Sequence, residues 1–90
     1  MSSVEEVKGK LAQINHNLGT SRAQMGQVTH DLEQQISALR STLGDGSSGS
    51  HDADMQAAIA ALQAELGTVR HTSQVVGKTI EETERYIGRI

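Results

Sequence analysis

Cysteine, proline, tryptophan and phenylalanine are all missing from this 90-residue chain, and Tyr86 is its single aromatic residue. Without cysteine there is neither a disulfide nor a thiolate that could hold zinc or attack a substrate, which leaves a metal on other ligands or association with another chain as the reinforcement of so small a fold. The lack of proline leaves long helices unbroken. With one ring in the chain there is no platform on which exposed bases could stack. An excess of positive charge is also missing, since eight Lys and Arg face eleven Asp and Glu for a formal net charge of −3. That balance excludes a general phosphate binder and argues against a helical DNA-binding regulator, which needs a basic surface. No apolar run approaches the roughly twenty residues that cross a bilayer. The opening Met1-Ser2-Ser3-Val4-Glu5-Glu6 lacks the basic and apolar segments of a secretory signal, so a cytoplasmic chain is expected, with export by a route needing no cleaved signal left open.

What is present is helical periodicity. Apolar residues fall at Val4, Val7, Leu11, Ile14, Leu18, Met25, Val28 and Leu32, a three-four alternation interrupted only by Ser21. Beyond Leu32 the spacing becomes Ile36, Leu39, Leu43, which predicts a stutter that moves the seam to a neighbouring face. The second half reads Met55, Ile59, Leu62, Leu66, Val69, Ser73, Val76, Ile80, Thr83, Ile87, Ile90 without a break. Between the halves, Gly44-Asp45-Gly46-Ser47-Ser48-Gly49-Ser50 stops a helix and reads as a loop. Ser3 with Glu6 fits a capping box, and Ser50 or Asp52 can cap the second helix.

These signals predict an all-α chain of one domain, residues 1–90, with a helix over about 3–43, a loop over 44–51 and a helix over about 52–90. Two helices of nearly equal length, each about 60 Å long at about 1.5 Å per residue, close most simply as a two-helix antiparallel coiled-coil hairpin. Folding about the loop sets Leu39 near Ile59, Leu32 near Leu66, Leu18 near Ile80 and Leu11 near Ile87. The small or polar seam residues Ser21, Ser73 and Thr83 then meet Val76, Met25 and Ile14, and large-small complementarity of this kind favours the antiparallel register.

Few residues invite chemistry. His16, His30 and His71 share the helix face opposite the seam, and His16 and His30 stand about 21 Å apart along one axis, too far to meet at a zinc ion. His51 beside Asp52 and Asp54 reads as a polar helix start, so no metal site is expected. The carboxylates are spread over solvated faces, with Glu6 and Lys10, and Glu81 and Arg85, at the spacing of ordinary helix ion pairs. No phosphate-cradling glycine motif or nucleophile elbow occurs, and a two-helix hairpin offers no ligand-sized concavity. The chain is therefore expected to be no enzyme, with no cofactor and no small-molecule substrate.

Glycine is the unexpected presence. Gly9, Gly19, Gly26, Gly67, Gly77 and Gly88 lie within the expected helices, each costing about 1 kcal/mol relative to alanine. Most share one flank of the hairpin with alanines, and the candidate partner-binding set is Ala12, Gly19, Gly26, Ala60, Gly67, Gly77 and Gly88, joined by the shifted Ile36 and Leu43. The opposite flank, with Gln24, Asp31, Glu65, Thr72 and Glu82, is expected to be solvated. A smooth flank of this kind suits another helical hairpin, a second copy or a different protein, that completes a four-helix bundle by dimerisation or hetero-association.

Two helices of about forty residues around a central glycine-bearing turn, Leu43-Gly44-Asp45-Gly46, in a chain of about ninety residues resemble the WXG family of type VII secretion substrates and the WXG-like partner proteins of LXG-type secreted toxins. The resemblance spans the whole chain as architecture. The turn holds no Trp-X-Gly, and Tyr86 is followed four residues later by Ile90 where the family's export tail has an acidic residue. What the resemblance implies is a bacterial helper that pairs with a larger helical protein and presents it for secretion. The competing expectation from composition is a self-assembling homo-oligomeric coiled-coil scaffold.

Overall fold

A computed structural model describes residues 3–43 and 52–90. Two helices, α1 (Val4–Leu43) and α2 (Ala53–Arg89), account for all but the ends of that range, and no strand occurs among the described residues. The expected loop over 44–51, with Ser50 and His51, lies outside them. The helix starts follow the sequence signals. The Ser3 hydroxyl accepts from the Glu6 amide at 3.1 Å, and one Asp52 carboxylate oxygen accepts from the amides of Asp54 and Met55 at 2.9 and 3.0 Å. Each cap satisfies amides that an open first turn leaves without partners. Glu5, Glu6 and Asp54 in the first turns and Arg40 and Arg89 in the last turns complement the helix dipoles.

The helices lie side by side as a rod of 66 × 19 × 16 Å. Three cross-helix contacts show that they run antiparallel. The Asn15 side-chain amide donates to the Ile80 carbonyl at 3.2 Å, the Arg22 guanidinium lies on Gly77, and Arg70 pairs with Glu33. Low-numbered residues of α1 thus meet high-numbered residues of α2, as the folding rule requires.

Burial is concentrated next to the turn. Ile36, Ile59 and Leu66 are the buried apolar residues, at 5%, 5% and 7% exposure, and Leu32, Leu39, Leu43 and Leu62 pack against them. Further along, Leu11, Leu18, Met25, Val69, Val76, Ile80 and Ile87 are only half-buried. Two helices can cover each other along one stripe but cannot enclose a side chain, and no large side chain among the described residues is fully buried.

The seam of α2 holds the expected residues from Met55 to Ile87, each buried or half-buried, while Ile90, also expected there, is 37% exposed beyond the helix end. The seam of α1 does not. No stutter follows Leu32. Instead Leu11, Leu18, Met25, Leu32 and Leu39 form one row at a constant seven-residue step, and Lys8, Asn15, Arg22, Thr29, Ile36 and Leu43 form the other. Val4, Ile14 and Val28, expected inside, are 52%, 49% and 47% exposed. The physical reason lies at the turn. Burying Ile36, Leu39 and Leu43 against Ile59 and Leu62 fixes which face of α1 meets α2, and an unbroken helix carries that face back onto Thr29, Arg22 and Asn15. Ile36 and Leu43 therefore belong to the core seam, where sequence spacing had set them on the flank.

Candidate protein-interaction surfaces

The polar seam residues are accommodated one by one. Thr29 and Thr83 return their hydroxyls to the carbonyls of Met25 and Thr79, both at 2.8 Å, and so bring no unmet donor into the interface. Asn15 is satisfied on one side only. Its amide reaches the Ile80 carbonyl, while its Oδ1 is buried without a partner. A polar residue at such a core position costs stability and fixes register. Arg22 is too long for the seam and folds outward across α2, where a Cβ on Gly77 would stand 2.6 Å from the guanidinium carbon. Gly77 is buried for that reason, making room for Arg22 rather than forming part of a free flank.

Ala12, Gly19, Gly26, Ala60, Gly67 and Gly88 are exposed on the flank where the sequence places them. A Cβ built on Gly19, Gly26, Gly67 or Gly88 meets nothing within 4 Å, so packing within the chain does not require glycine there. Of the nine candidate residues, the structure brings these six to one surface and takes Ile36, Leu43 and Gly77 out of it.

The opposite flank departs from expectation. It carries Ile14 and Val28 of α1 together with Val75 and Tyr86 of α2, the last two 50% and 46% exposed. With half-buried Val7 and Ser21, the α1 residues make a row at seven-residue spacing, so the original three-four pattern of α1 is a true apolar stripe of which α2 covers one row. The sequence signal was present but was assigned to the wrong neighbour. Val75 and Tyr86 were legible too, being apolar residues off the regular seam of α2.

No family model matches the chain, and no curated protein or solved structure matches it.

Other candidate groups do not assemble. His16, His30 and His71 are exposed, and no three His, Cys, Asp or Glu among the described residues come close enough to share an ion. Arg85 pairs with Glu82 one turn earlier, not with Glu81 as spacing suggested. Along the turn-proximal half an open groove is lined by Glu33, Ile36, Ser37, Arg40, Gln63 and Leu66. It lies over the core and holds no convergent set of catalytic groups. No helix among the described residues is long and apolar enough to cross a membrane.

Proposed function

We propose that the chain is a non-catalytic protein-protein interaction module that completes its hydrophobic core by docking on another helical hairpin, giving a four-helix bundle. One observation carries this reading. An apolar stripe on α1, interrupted at Ser21, has one row against α2 and a second row in which Ile14 and Val28 are about half exposed. Exposed apolar rows of this kind mark association surfaces, and a chain with three buried apolar residues among those described has little stability to spare for leaving them open. Pairing with a larger helical protein, the helper role implied by the WXG-like architecture, and self-assembly are two versions of the same chemistry with different occupants.

The test is the mass and thermal melt of the isolated chain across a range of concentrations. A melting temperature that rises with concentration, or that rises on addition of a helical partner, is the expected result. A chain that stays monomeric, melts cooperatively at one temperature and is indifferent to added partners would rule the reading out.

A further inference from the structure

We propose that the exposed row of α1 is the contact for a second copy of this chain, placed antiparallel on the first with a two-fold axis passing beside Ser21; this rests on the reading of the chain as an interaction module. The charge order along that flank selects both occupant and direction. Lys10 and Arg89 stand at the end where α1 starts and α2 stops, Asp31 and Glu65 stand toward the turn, and Glu82, taken up by its own Arg85, lies between them, all five exposed. The cross-helix contacts of Asn15, Arg22 and Glu33 fix the levels, setting Arg89 abreast of Lys10 and Glu65 abreast of the turn after Asp31. Arg89 also lies 6.0 Å from the Tyr86 ring, and Gln27 donates to one Asp31 oxygen at 3.1 Å.

Two hairpins can meet on this flank with two-fold symmetry in two ways. An axis along the rod sets α1 on the partner's α2 at equal height, so that Lys10 faces Arg89 and Asp31 faces Glu65, like charge on like. An axis across the rod sets α1 on α1 and α2 on α2, head to tail. Centred on Ser21, it brings Ile14 onto Val28, Lys10 beside Asp31, and Arg89 within a turn of Glu65, each contact made twice, as an isologous interface demands. Ser21, the one small residue in the row, falls at the axis, where side chains would meet their own copies. The footprint is sufficient. A strip from Lys10 to Asp31, the pair that the axis brings together, is about 30 Å long at about 1.5 Å per residue. On a face 19 Å wide, two such surfaces bury on the order of 1,200 Å², the lower bound of stable interfaces.

The experiment is sedimentation equilibrium on the full chain, with helicity checked by circular dichroism. The double variant Ile14→Glu, Val28→Glu should weaken dimerisation on the order of a hundredfold. Lys10→Glu should weaken it about tenfold, and adding Asp31→Lys should restore it. Since the chain has no cysteine, Ser21→Cys should crosslink to a dimer under mild oxidation while Gly67→Cys, on the other flank, should not. A dimer indifferent to these changes but broken by Gly19→Glu, Gly26→Glu and Gly67→Glu would overturn this interface and leave the interaction reading standing. A folded monomer at every concentration would overturn this self-pairing, and would overturn the interaction reading as well only if the chain is also indifferent to added helical partners. If the glutamate pair unfolds the chain, the charge swap and the crosslink still decide, and failure of both overturns the proposal.

Discussion

The half of the hairpin next to the turn and the half toward the chain ends are built from the same two helices on different principles. Near the turn, Ile36, Ile59 and Leu66 are buried and four leucines close around them. Toward the ends the facing positions include the polar Lys8, Asn15, Arg22, Ser73 and Thr83, and of the exposed large apolar residues among the described ones, Val4, Ile14, Val75, Tyr86 and Ile90 belong to this half, with Val28 just on the turn side of the middle. One half spends its apolar residues on the fold, and the other presents them outward. The contrast implies a division of labour in which the turn-proximal half sets register and the distal half is left to be finished by association.

The largest expected difference between the halves is in core truncation. Ile59→Ala removes a buried side chain packed against leucines and should cost about 3 kcal/mol, within the usual range for buried aliphatic truncation. Ile80→Ala, at the equivalent seam position of the distal half but only half-buried, should cost about half of that in dilute solution. Urea unfolding followed by circular dichroism measures both, and equal losses would mean that the distal half is as well enclosed as the proximal one.

Why the fold was readable and the surface was not follows from the same contrast. Helix content, the caps at Ser3 and Asp52, the α2 seam and the antiparallel sense rest on local patterns or on simple length, and these a sequence displays directly. The α1 seam does not, because two overlapping heptad readings exist. One runs through Val7, Ile14 and Val28, and the other through Asn15, Thr29 and Ile36. Hydropathy prefers the first in the distal half, but a rigid helix can present one face only, and the stronger core at the turn decides for the second. Gly77 was misjudged for a similar reason. As a small residue at a flank it looked available, and only the neighbouring helix shows that Arg22 lies over it.

Asn15→Leu should act next most strongly. It removes a buried Oδ1 that has no partner, and the Ile80 carbonyl it leaves behind is already in α2, so a gain of about 1 kcal/mol is expected. The gain should come with looser specificity, since an apolar residue no longer penalises alternative registers. Denaturant titration gives the first quantity and the mass distribution in solution gives the second. A destabilised Asn15→Leu variant would indicate that Oδ1 finds a partner in the assembled state.

Substituting glycines separates flank from seam at somewhat smaller size. Gly19→Ala and Gly26→Ala add a methyl into open space and should each stabilise the helix by about 1 kcal/mol, unless a docked chain uses that gap. Gly77→Ala gains the same propensity but must push aside the guanidinium of Arg22, so the two effects should nearly cancel. A loss with Gly19→Ala and Gly26→Ala, read from thermal melts at high and low concentration, would transfer the contact from the Ile14 flank to the glycine flank.

The smallest effect belongs to the ion pair of Arg70 and Glu33, which joins the helices. Arg70 and Glu33 are 52% and 45% exposed, so the pair is well solvated, and removing it in a double-mutant cycle with Glu33→Gln and Arg70→Gln should reveal a coupling of about 0.5 kcal/mol. That coupling should shrink as salt rises, because exposed charges are screened over about 10 Å at 0.1 M. The pair lies near the boundary between the halves, one turn from Ile36 along α1 and one turn from Leu66 along α2. A coupling several times larger, or one insensitive to salt, would mean that a second chain covers this flank as well and shuts water out, and the distal half would then be enclosed on both sides rather than on the Ile14 side alone.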